Sequence, residues 1–160
     1  MSVLIRPAVD SDSAALVRVL SPEVDTHVIT NRFAELHAGL RLLLVLETDS
    51  TIAGTISIST SSDEDGVTRR LFALDVGAGY RRLGFATALI KEVESRVLSD
   101  GHTALRLEVS VDNRIANALY EKLGYRRAGV PEKLRWSQPI DGQPSVIVTE
   151  TSQRMIKSLA

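Results

Sequence analysis

The stretch of sequence that decides the fold covers residues 107–125 and reads Leu-Glu-Val-Ser-Val-Asp-Asn-Arg-Ile-Ala-Asn-Ala-Leu-Tyr-Glu-Lys-Leu-Gly-Tyr. Its beginning belongs to an alternation of apolar and polar residues over residues 104–111, which predicts a strand with one buried face. The part that follows predicts a short helix over residues 114–123, which ends before Gly124. A strand that leads so directly into a helix indicates a domain of mixed α/β class.

A second informative stretch, residues 76–90, leads from the end of a strand through glycines and two arginines into a helix. The first N–H groups of a helix have no intrahelical partner and lie at the positive end of the helix dipole, so they can bind a phosphate. Gly84 and Ala86 leave the backbone accessible, and Arg81 and Arg82 can add charge-assisted hydrogen bonds. The pattern predicts an anion site, although a basic, glycine-rich first turn without a ligand fits these residues about equally well.

The rest of the chain shows no repeat and no linker, so we predict a single domain over residues 1–160. The patterning predicts the order βααβββαβαββ, with helices on both faces of one central sheet. The final two strands are expected near residues 125–128 and 145–151, joined by a long connection with a turn at Asp141-Gly142. The earlier elements are strands near residues 3–6, 41–47, 52–60 and 67–76 and helices near 14–20, 29–40 and from residue 84 to a stop at Asp100-Gly101.

Composition excludes several classes of protein. Nineteen Lys and Arg stand against 20 Asp and Glu, so a net charge of −1 gives no overall attraction to nucleic acid or anionic lipid. The absence of cysteine excludes disulfides, thiolate metal sites and cysteine nucleophiles, and the three histidines are too far apart to suggest a metal site. The N-terminus lacks a signal-peptide pattern, and no apolar run could span a bilayer. We therefore expect a cytoplasmic protein with no metal, nucleic acid or membrane partner.

Six residues of the first stretch carry a resemblance to a known family. They follow a strand with the spacing Asn-x-x-Ala-x-x-Leu-Tyr-x-x-x-Gly-Phe/Tyr and are Asn113, Ala116, Leu119, Tyr120, Gly124 and Tyr125. The chain thus resembles the GNAT superfamily of acetyl-CoA-dependent N-acetyltransferases, which keeps an Arg/Gln-x-x-Gly-x-Gly/Ala motif where residues 81–86 lie. The resemblance implies a single domain with a mixed, mostly antiparallel sheet of about seven strands, and acetyl-CoA as co-substrate.

The resemblance also implies roles for individual residues. Backbone groups of Leu74 and Val76 would pair with the pantetheine arm like an added strand and polarise the thioester carbonyl. Asn113 would hydrogen-bond the pantetheine, and Tyr120 would contact the cofactor and protonate the departing thiolate; the residues also fit a Tyr120 that only packs. The residues expected to hold the CoA pyrophosphate are Arg81, Arg82, Leu83, Gly84, Phe85, Ala86 and Thr87.

Glu108 is the candidate general base. An α-amino group has a pKa of about 7.7 to 8.0 and a lysine amine one of about 10.4, so either must lose a proton before it attacks. Glu108 lies on the polar side of its strand, and it matches the glutamate of the branch that acetylates N-terminal amines, where the carboxylate acts through ordered water. The residues equally allow a Glu108 that only pairs with Arg106 at the surface, and Asp75 is a second candidate base.

The sequence favours an N-acetyltransferase that works by direct transfer in a ternary complex, because no cysteine or other evident nucleophile indicates an acyl-enzyme. The acceptor would be a primary amine of a protein N-terminus, a lysine or a small molecule, with a slight preference for a protein N-terminus. The alternative is a non-catalytic acyl-CoA-binding or sensing module. We expect a monomer or homodimer, a loose turn at Gly77-Ala78-Gly79, and a segment around Trp136 that lines the acceptor side or caps the core.

Overall fold

A computed structural model describes residues 2–140 and 142–160, so Asp141 of the predicted turn lies outside the described residues. The elements follow the predicted order up to the last two strands. A single 3-10 turn, Ala78–Tyr80, precedes the third helix. In the described part of the chain, the strands and helices are β1 Val3–Pro7, α1 Asp12–Leu20, α2 Thr26–His37, β2 Leu42–Thr48, β3 Thr51–Ile58, β4 Thr68–Val76, α3 Phe85–Ser99, β5 Ala104–Ser110, α4 Arg114–Lys122, β6 Arg126–Arg127, β7 Glu132–Ile140 and β8 Gln143–Ser158.

The strands form one sheet in the order β1-β2-β3-β4-β5-β8-β6, with β7 paired to β8. Every neighbouring pair is antiparallel except β4 and β5, which run parallel. The predicted mixed, mostly antiparallel sheet with helices on both faces is confirmed. Since β4 and β5 are the parallel pair, the connection between them must cross over the sheet, and α3 provides it.

The number of strands corrects the prediction, because the described residues form eight strands and not about seven. Residues 132–140, which we expected to belong to a long connection, form β7 and pair with β8 from Glu132↔Ser152 to Ile140↔Gln143. Pro139 had indicated a loop, but it lies where the register shifts between Gln138 and Ile140. An irregular position of this kind tolerates a residue that has no N–H to donate.

Alternation along β2 gives the sheet two apolar faces. Leu43 and Val45 pack with α1 and α2, whereas Leu44 and Leu46 pack with α3. The helices thus cover opposite faces of the same strands, and all four of these leucine and valine side chains are buried. No helix within residues 2–140 and 142–160 is both long enough and apolar enough to cross a membrane.

The second helix begins earlier than the apolar spacing predicts. Asp25 caps it, because its side chain accepts a hydrogen bond from the His27 N–H at 2.9 Å. The first apolar residue that is buried on this helix is Ile29, one turn further on. A polar first turn therefore hid the true start, which the capping carboxylate determines.

The parallel pairing of β4 with β5 is short, and this decides where a ligand can enter. It covers only Thr68↔Ala104, Arg69↔Leu105 and Arg70↔Arg106. Beyond Arg70 and Arg106 the two strands separate, so their carboxyl-terminal halves leave peptide groups unpaired in the middle of the sheet. A cleft opens at this point.

Candidate active site

The cleft between β4 and β5 encloses a cavity of about 910 Å³. Its walls come from β4, the turn before α3, β5 and α4. Leu83 is absent from these walls, and its side chain is half exposed to solvent. The sequence-predicted residues that do line the cavity are Leu74, Val76, Arg81, Arg82, Gly84, Phe85, Ala86, Thr87, Glu108, Asn113 and Tyr120.

The wall formed by β4 presents backbone groups to the cleft. The Gly77 N–H donates to the Ala53 carbonyl at 2.8 Å, and Asp75 pairs with Thr55, so both residues direct their peptide groups toward β3. Peptide groups alternate in direction along a strand. Those of Leu74 and Val76 therefore point away from β3 and into the cleft.

A bulge in β4 produces this exposure. The register with β3 shifts between Thr55 and Ser57, and Ala73 adopts a φ of +52°, which is uncommon for a residue with a side chain. Gly54 on β3 pairs with Val76, beyond the bulge, and a Cβ atom on Gly54 would come within 2.9 Å of the Asp75 carbonyl oxygen. Only glycine lets β3 approach the bulged strand this closely, so β3 helps to fix the shape of the wall.

The end of the cleft toward α3 has the features of an anion site. Gly84 takes the position before the helix with a φ of +82°, and no side chain within residues 2–140 and 142–160 caps the first amides of α3. Arg82 also has a positive φ of +63°, which bends the chain tightly into the helix. The N–H groups of the first turn are therefore left for a ligand, together with the positive end of the helix dipole.

The turn that leads to this site is closely packed at Gly77, where the expected looseness is wrong, whereas Ala78 and Gly79 are exposed. Residues Ala78–Tyr80 form a 3-10 turn. A Cβ atom on Gly77 would lie 2.5 Å from a methyl group of Val19, so the glycine allows the turn to pack closely against α1. Close packing, and not freedom of the backbone, is what this glycine provides.

Arg81 is engaged with the protein in this structure. Its guanidinium binds the Glu23 carboxylate, which belongs to the connection between α1 and α2, and its Nε atom lies 3.3 Å from the Val76 carbonyl oxygen. The hydrogen bond from Arg81 lowers the pKa of Glu23 below its usual value. Arg82 is exposed beside it. The two arginines thus differ, since among the described residues a carboxylate binds the Arg81 guanidinium and none binds that of Arg82.

Tyr120 lies on α4 with its ring nearly buried, at 8% exposure. Burial, and to a lesser degree the negative charge of Asp75, raises the pKa of Tyr120 to about 12. The phenol is therefore protonated at neutral pH and can donate a hydrogen bond into the cleft. The ring meets that of Tyr125 edge to face, with the centroids 5.9 Å apart. Tyr125 is itself held by a 2.8 Å hydrogen bond from its hydroxyl to Glu94.

Asn113 has a structural task at the start of α4. Its side-chain oxygen accepts a hydrogen bond from the Ala116 N–H at 3.1 Å and so caps the helix. The hydrogen bond orients the side chain at the rim of the cleft. The side-chain nitrogen makes no hydrogen bond to any residue that the structure describes, and it can serve a ligand.

Glu108 lies on the opposite wall, within a cluster of charges. Its Oε1 atom accepts a 2.6 Å hydrogen bond from Arg106 and lies 3.4 Å from the Nε atom of Arg70. Arg106 also binds Asp63, with distances of 2.7 and 3.1 Å. The Oε2 atom of Glu108 has no hydrogen-bond partner among the described residues. Asp75, the second candidate base, forms an ion pair of 2.7 Å with the nearly buried Arg32.

A family model described as Acetyltransferase (GNAT) family matches residues 12–125 of the chain. This chain belongs to the GNAT acetyltransferase family. An acetyltransferase of Yersinia pestis (strain Pestoides F) is 34% identical over 104 residues, which are 65% of this chain and 67% of that protein. The resemblance drawn from residues 107–125 is confirmed.

Solved structures agree with this GNAT fold. The ribosomal-protein-S18-alanine N-acetyltransferase from Escherichia coli superposes with a TM-score of 0.72 at 21% identity, over 99% of this chain and 95% of that one. A structure from Salmonella typhimurium that contains its cofactor acetyl-CoA gives a TM-score of 0.68 at 18% identity, over 100% and 95% of the two chains. At such low identity these structures establish the fold alone.

The sequence of this GNAT acetyltransferase did not reveal the charged surroundings of Glu108. Arg70, Phe72 and Glu150 line the cavity, and none of them was singled out by a motif. The alternation in residues 104–111 could have signalled only that Arg106 and Glu108 share a face of β5. Trp136, by contrast, lies on β7 and does not line the cleft cavity.

Proposed function

We propose that this GNAT acetyltransferase transfers an acetyl group from acetyl-CoA to a primary amine, by direct attack within a ternary complex. The observation that carries the proposal is the meeting, in one cleft, of the β4 peptide groups that point away from β3, the start of α3 and the phenol of Tyr120. Each answers one need of acyl transfer from a thioester: a hold on the thioester arm, an anion site for its phosphates, and a hydrogen for the leaving sulfur.

The cofactor fits the groups that the cleft offers. Its pyrophosphate would lie on the N–H groups of residues 84–87, with Arg82 beside it and with Arg81 once that side chain has left Glu23. Its pantetheine arm would run along Leu74 and Val76 as an added strand. The free nitrogen of the Asn113 side chain lies at the rim where this arm would enter.

The proposed reaction forms one bond and breaks one. The nitrogen of the amine attacks the thioester carbonyl carbon, a C–N bond forms, and the C–S bond breaks. A peptide N–H of the β4 wall stabilises the oxyanion that develops on the carbonyl oxygen. Because burial keeps Tyr120 protonated, its hydroxyl donates to the departing sulfur. The proton that the amine loses passes to Glu108 Oε2 through an ordered water and then to solvent, and the Tyr120 phenolate regains a proton from solvent.

The alternative is a module that binds acyl-CoA without catalysis. For either function we propose a cytoplasmic protein that is a monomer or a homodimer. Such a module needs the anion site and the β4 wall, but it has no use for a protonated phenol at the centre of the cleft. The presence of Tyr120 together with Glu108 in the same cavity therefore favours the enzyme. The acceptor amine would be that of a protein N-terminus, a lysine or a small molecule.

Two measurements test the proposal. Acetyl-CoA should raise the temperature of unfolding, whereas ATP and NAD at the same concentration should not, because only a ligand of the native cleft stabilises the fold. Thiol release from acetyl-CoA should then depend on an added amine. Stabilisation without any amine-dependent thiol release would support the non-catalytic module, and an unfolding temperature that acetyl-CoA leaves unchanged would overturn both forms.

A further inference from the structure

The guanidinium groups of two arginines lie against one aromatic ring, near the part of the cleft that contains Glu108. The guanidinium groups of Arg41 and Arg70 each lie 4.7 Å from the centre of the Phe72 ring. Arg106 is the register partner of Arg70 on β5, at the last pair before the strands separate. The cleft thus begins between two arginines, with a third nearby, and each of them could bind an anion if its donors were free.

In two of the three arginines, each of the three guanidinium nitrogens donates a hydrogen bond to a protein side chain. Arg41 donates to Glu35 at 2.9 and 2.5 Å and to the Ser57 hydroxyl at 2.9 Å. Arg106 uses all three of its guanidinium nitrogens on carboxylates, two on Asp63 and one on Glu108. Every guanidinium nitrogen of these two side chains is thus engaged with the protein, and neither side chain lines the cavity, so both support the site from behind.

Arg70 differs from both. Its Nε atom faces Glu108 at 3.4 Å, but its two terminal nitrogens make no hydrogen bond to any residue in the described part of the chain. Its side chain is 39% exposed and lines the cavity. The Phe72 ring holds the guanidinium plane in place, so a fork of N–H donors is fixed in position at the mouth of the cleft.

We infer that Arg70 binds a carboxylate of the acceptor, so that the substrate is a small amine with a carboxylate close to its amino group, as in an α-amino acid. This inference rests on the proposed function. A guanidinium fork matches the two oxygens of a carboxylate. Glu108 lies next to it and attracts an ammonium, and the 3.4 Å between the two side chains gives the site opposite charges a few ångströms apart. A zwitterionic amino acid has the complementary arrangement.

The neighbouring carboxylate also favours this ligand over a phosphate. A phosphate group would bring up to two negative charges close to Glu108, whereas an amino acid brings one together with a compensating positive charge. A peptide N-terminus has the amino group but no anion beside it, so it would leave Arg70 without a partner. The structure thus points to free amino carboxylates in preference to proteins as acceptors.

The test compares each amino acid with the derivative in which a primary amide replaces the carboxylate. Thiol release from acetyl-CoA is measured for a panel of α-amino acids and for the matching primary amides, and kcat and KM are determined for every pair. We expect kcat/KM to be at least about 10-fold higher for the acid, since a charge-assisted bidentate contact is lost with the amide. The amide has the less basic amine, so chemistry without recognition would favour the amide and give the opposite order.

Variants of Arg70 then show whether this side chain causes the preference for the acid over the amide. Arg70→Gln should raise the KM for the acid by about 10- to 100-fold, whereas the KM for the amide and that for acetyl-CoA should change by less than about threefold. Arg70→Lys keeps the charge but not the fork, so it should recover only part of the loss. Arg18→Gln, on the exposed side of α1, is the control and should change nothing.

The outcomes separate the inference from the proposed function. If the wild-type enzyme acetylates amines but shows no preference for acids, or if Arg70→Gln weakens acid and amide equally, the inference is wrong and the proposed function stands. If phosphorylated amines or peptides exceed the amino acids, the inference is likewise overturned. If no amine promotes thiol release, the proposed function fails, and the inference fails with it.

Discussion

The two sides of the cleft are built from different materials. On the side where we propose that acetyl-CoA binds, here called the cofactor side, the wall comes from one continuous stretch, residues 74–87, and includes peptide groups of β4 and the first amides of α3. On the side where we propose that the acceptor binds, here called the acceptor side, the polar groups are side chains such as Arg70 and Glu108, which contacts with Arg41 and Asp63 from distant parts of the chain support. A site made of backbone groups requires a particular local conformation, and that conformation leaves a local pattern in the sequence. A site made of side chains depends instead on how distant strands pair, because the pairing brings the side chains together.

Replacement of Tyr120 by phenylalanine should have the largest effect, and it acts where the two sides meet. Tyr120→Phe removes the hydroxyl but keeps the buried ring, so kcat should fall by about 10- to 1,000-fold while the affinity for acetyl-CoA stays nearly unchanged. Steady-state kinetics together with acetyl-CoA titration would measure both quantities. Since the pKa of Tyr120 is raised to about 12, loss of its proton should not limit the wild-type rate below about pH 11.

The neighbouring ring provides the control for this substitution. Tyr125→Phe loses a hydrogen bond to Glu94 that lies outside the cleft walls, so it should lower stability by about 1 to 2 kcal/mol and change kcat by less than about threefold. If Tyr120→Phe weakened acetyl-CoA binding as much as it lowered kcat, the hydroxyl would be a binding group and not a proton donor.

Substitution of Glu108 tests the acceptor side alone. Glu108→Gln should lower kcat by about 10- to 100-fold near neutral pH, because the amine loses its proton acceptor. The deficit should shrink as the pH rises, since a larger fraction of the amine is then deprotonated without help. A pH profile of kcat for both proteins measures this, and the KM for acetyl-CoA should not change.

Glu132→Gln, on the exposed strand β7, is the matched control for this change and should behave like the wild type. A deficit that stays constant from neutral to alkaline pH would show that Glu108 holds Arg70 and Arg106 in place and transfers no proton. Glu108 would then be a positioning residue of the acceptor side, and another group would have to be the base.

The fold and the cofactor side could be predicted from sequence to a large extent, for a common physical reason. Gly84 must adopt a positive φ, and Asn113 must cap α4, so both residues mark their structures within a few positions of the chain. β7 escaped prediction because Pro139 normally interrupts a strand, and only its pairing with β8 shows that the register shifts there.

The acceptor side could not be predicted in this way. Arg70 and Glu108 lie 38 residues apart in the sequence, and their contact exists only because β4 and β5 pair at Arg70↔Arg106. No local pattern records that register. The contact between Arg41 and the Phe72 ring likewise joins distant segments. Arg41 lies at the end of the connection from α2 to β2, and β2 is two strands away from β4 in the sheet.

A pair of glycine variants isolates the backbone contribution on the cofactor side. Gly84→Ala places a side chain at a φ of +82° where no atom lies within 4 Å, so its cost is strain of the backbone, about 1 kcal/mol, with no clash. We expect up to about a fivefold increase in the KM for acetyl-CoA and no change in the KM for the acceptor. Gly39→Ala, at a φ of +74° and equally open, should lose similar stability without any effect on acetyl-CoA.

Loss of acetyl-CoA affinity in both glycine variants would attribute the effect to general destabilisation. A loss in Gly84→Ala alone would show that the bend before α3 sets the position of the phosphate-binding amides. Thermal unfolding of each variant without ligand supplies the stability against which the binding data are compared.

The smallest expected effect concerns the ion pair between Glu23 and Arg81, in which a carboxylate binds a side chain of the anion site. Both side chains are about half exposed, so the pair is weak, but its rupture is required before Arg81 can bind a phosphate. Glu23→Gln should therefore lower the KM for acetyl-CoA by about twofold at low salt, and this gain should vanish as salt screens the exposed charges. The control is Glu121→Gln on α4, which breaks a similarly exposed ion pair with Arg127. It should leave the KM for acetyl-CoA unchanged at any salt concentration. A KM that rises in Glu23→Gln would mean that Glu23 holds Arg81 in its binding position, in which case the cofactor side, too, depends on a contact between distant segments.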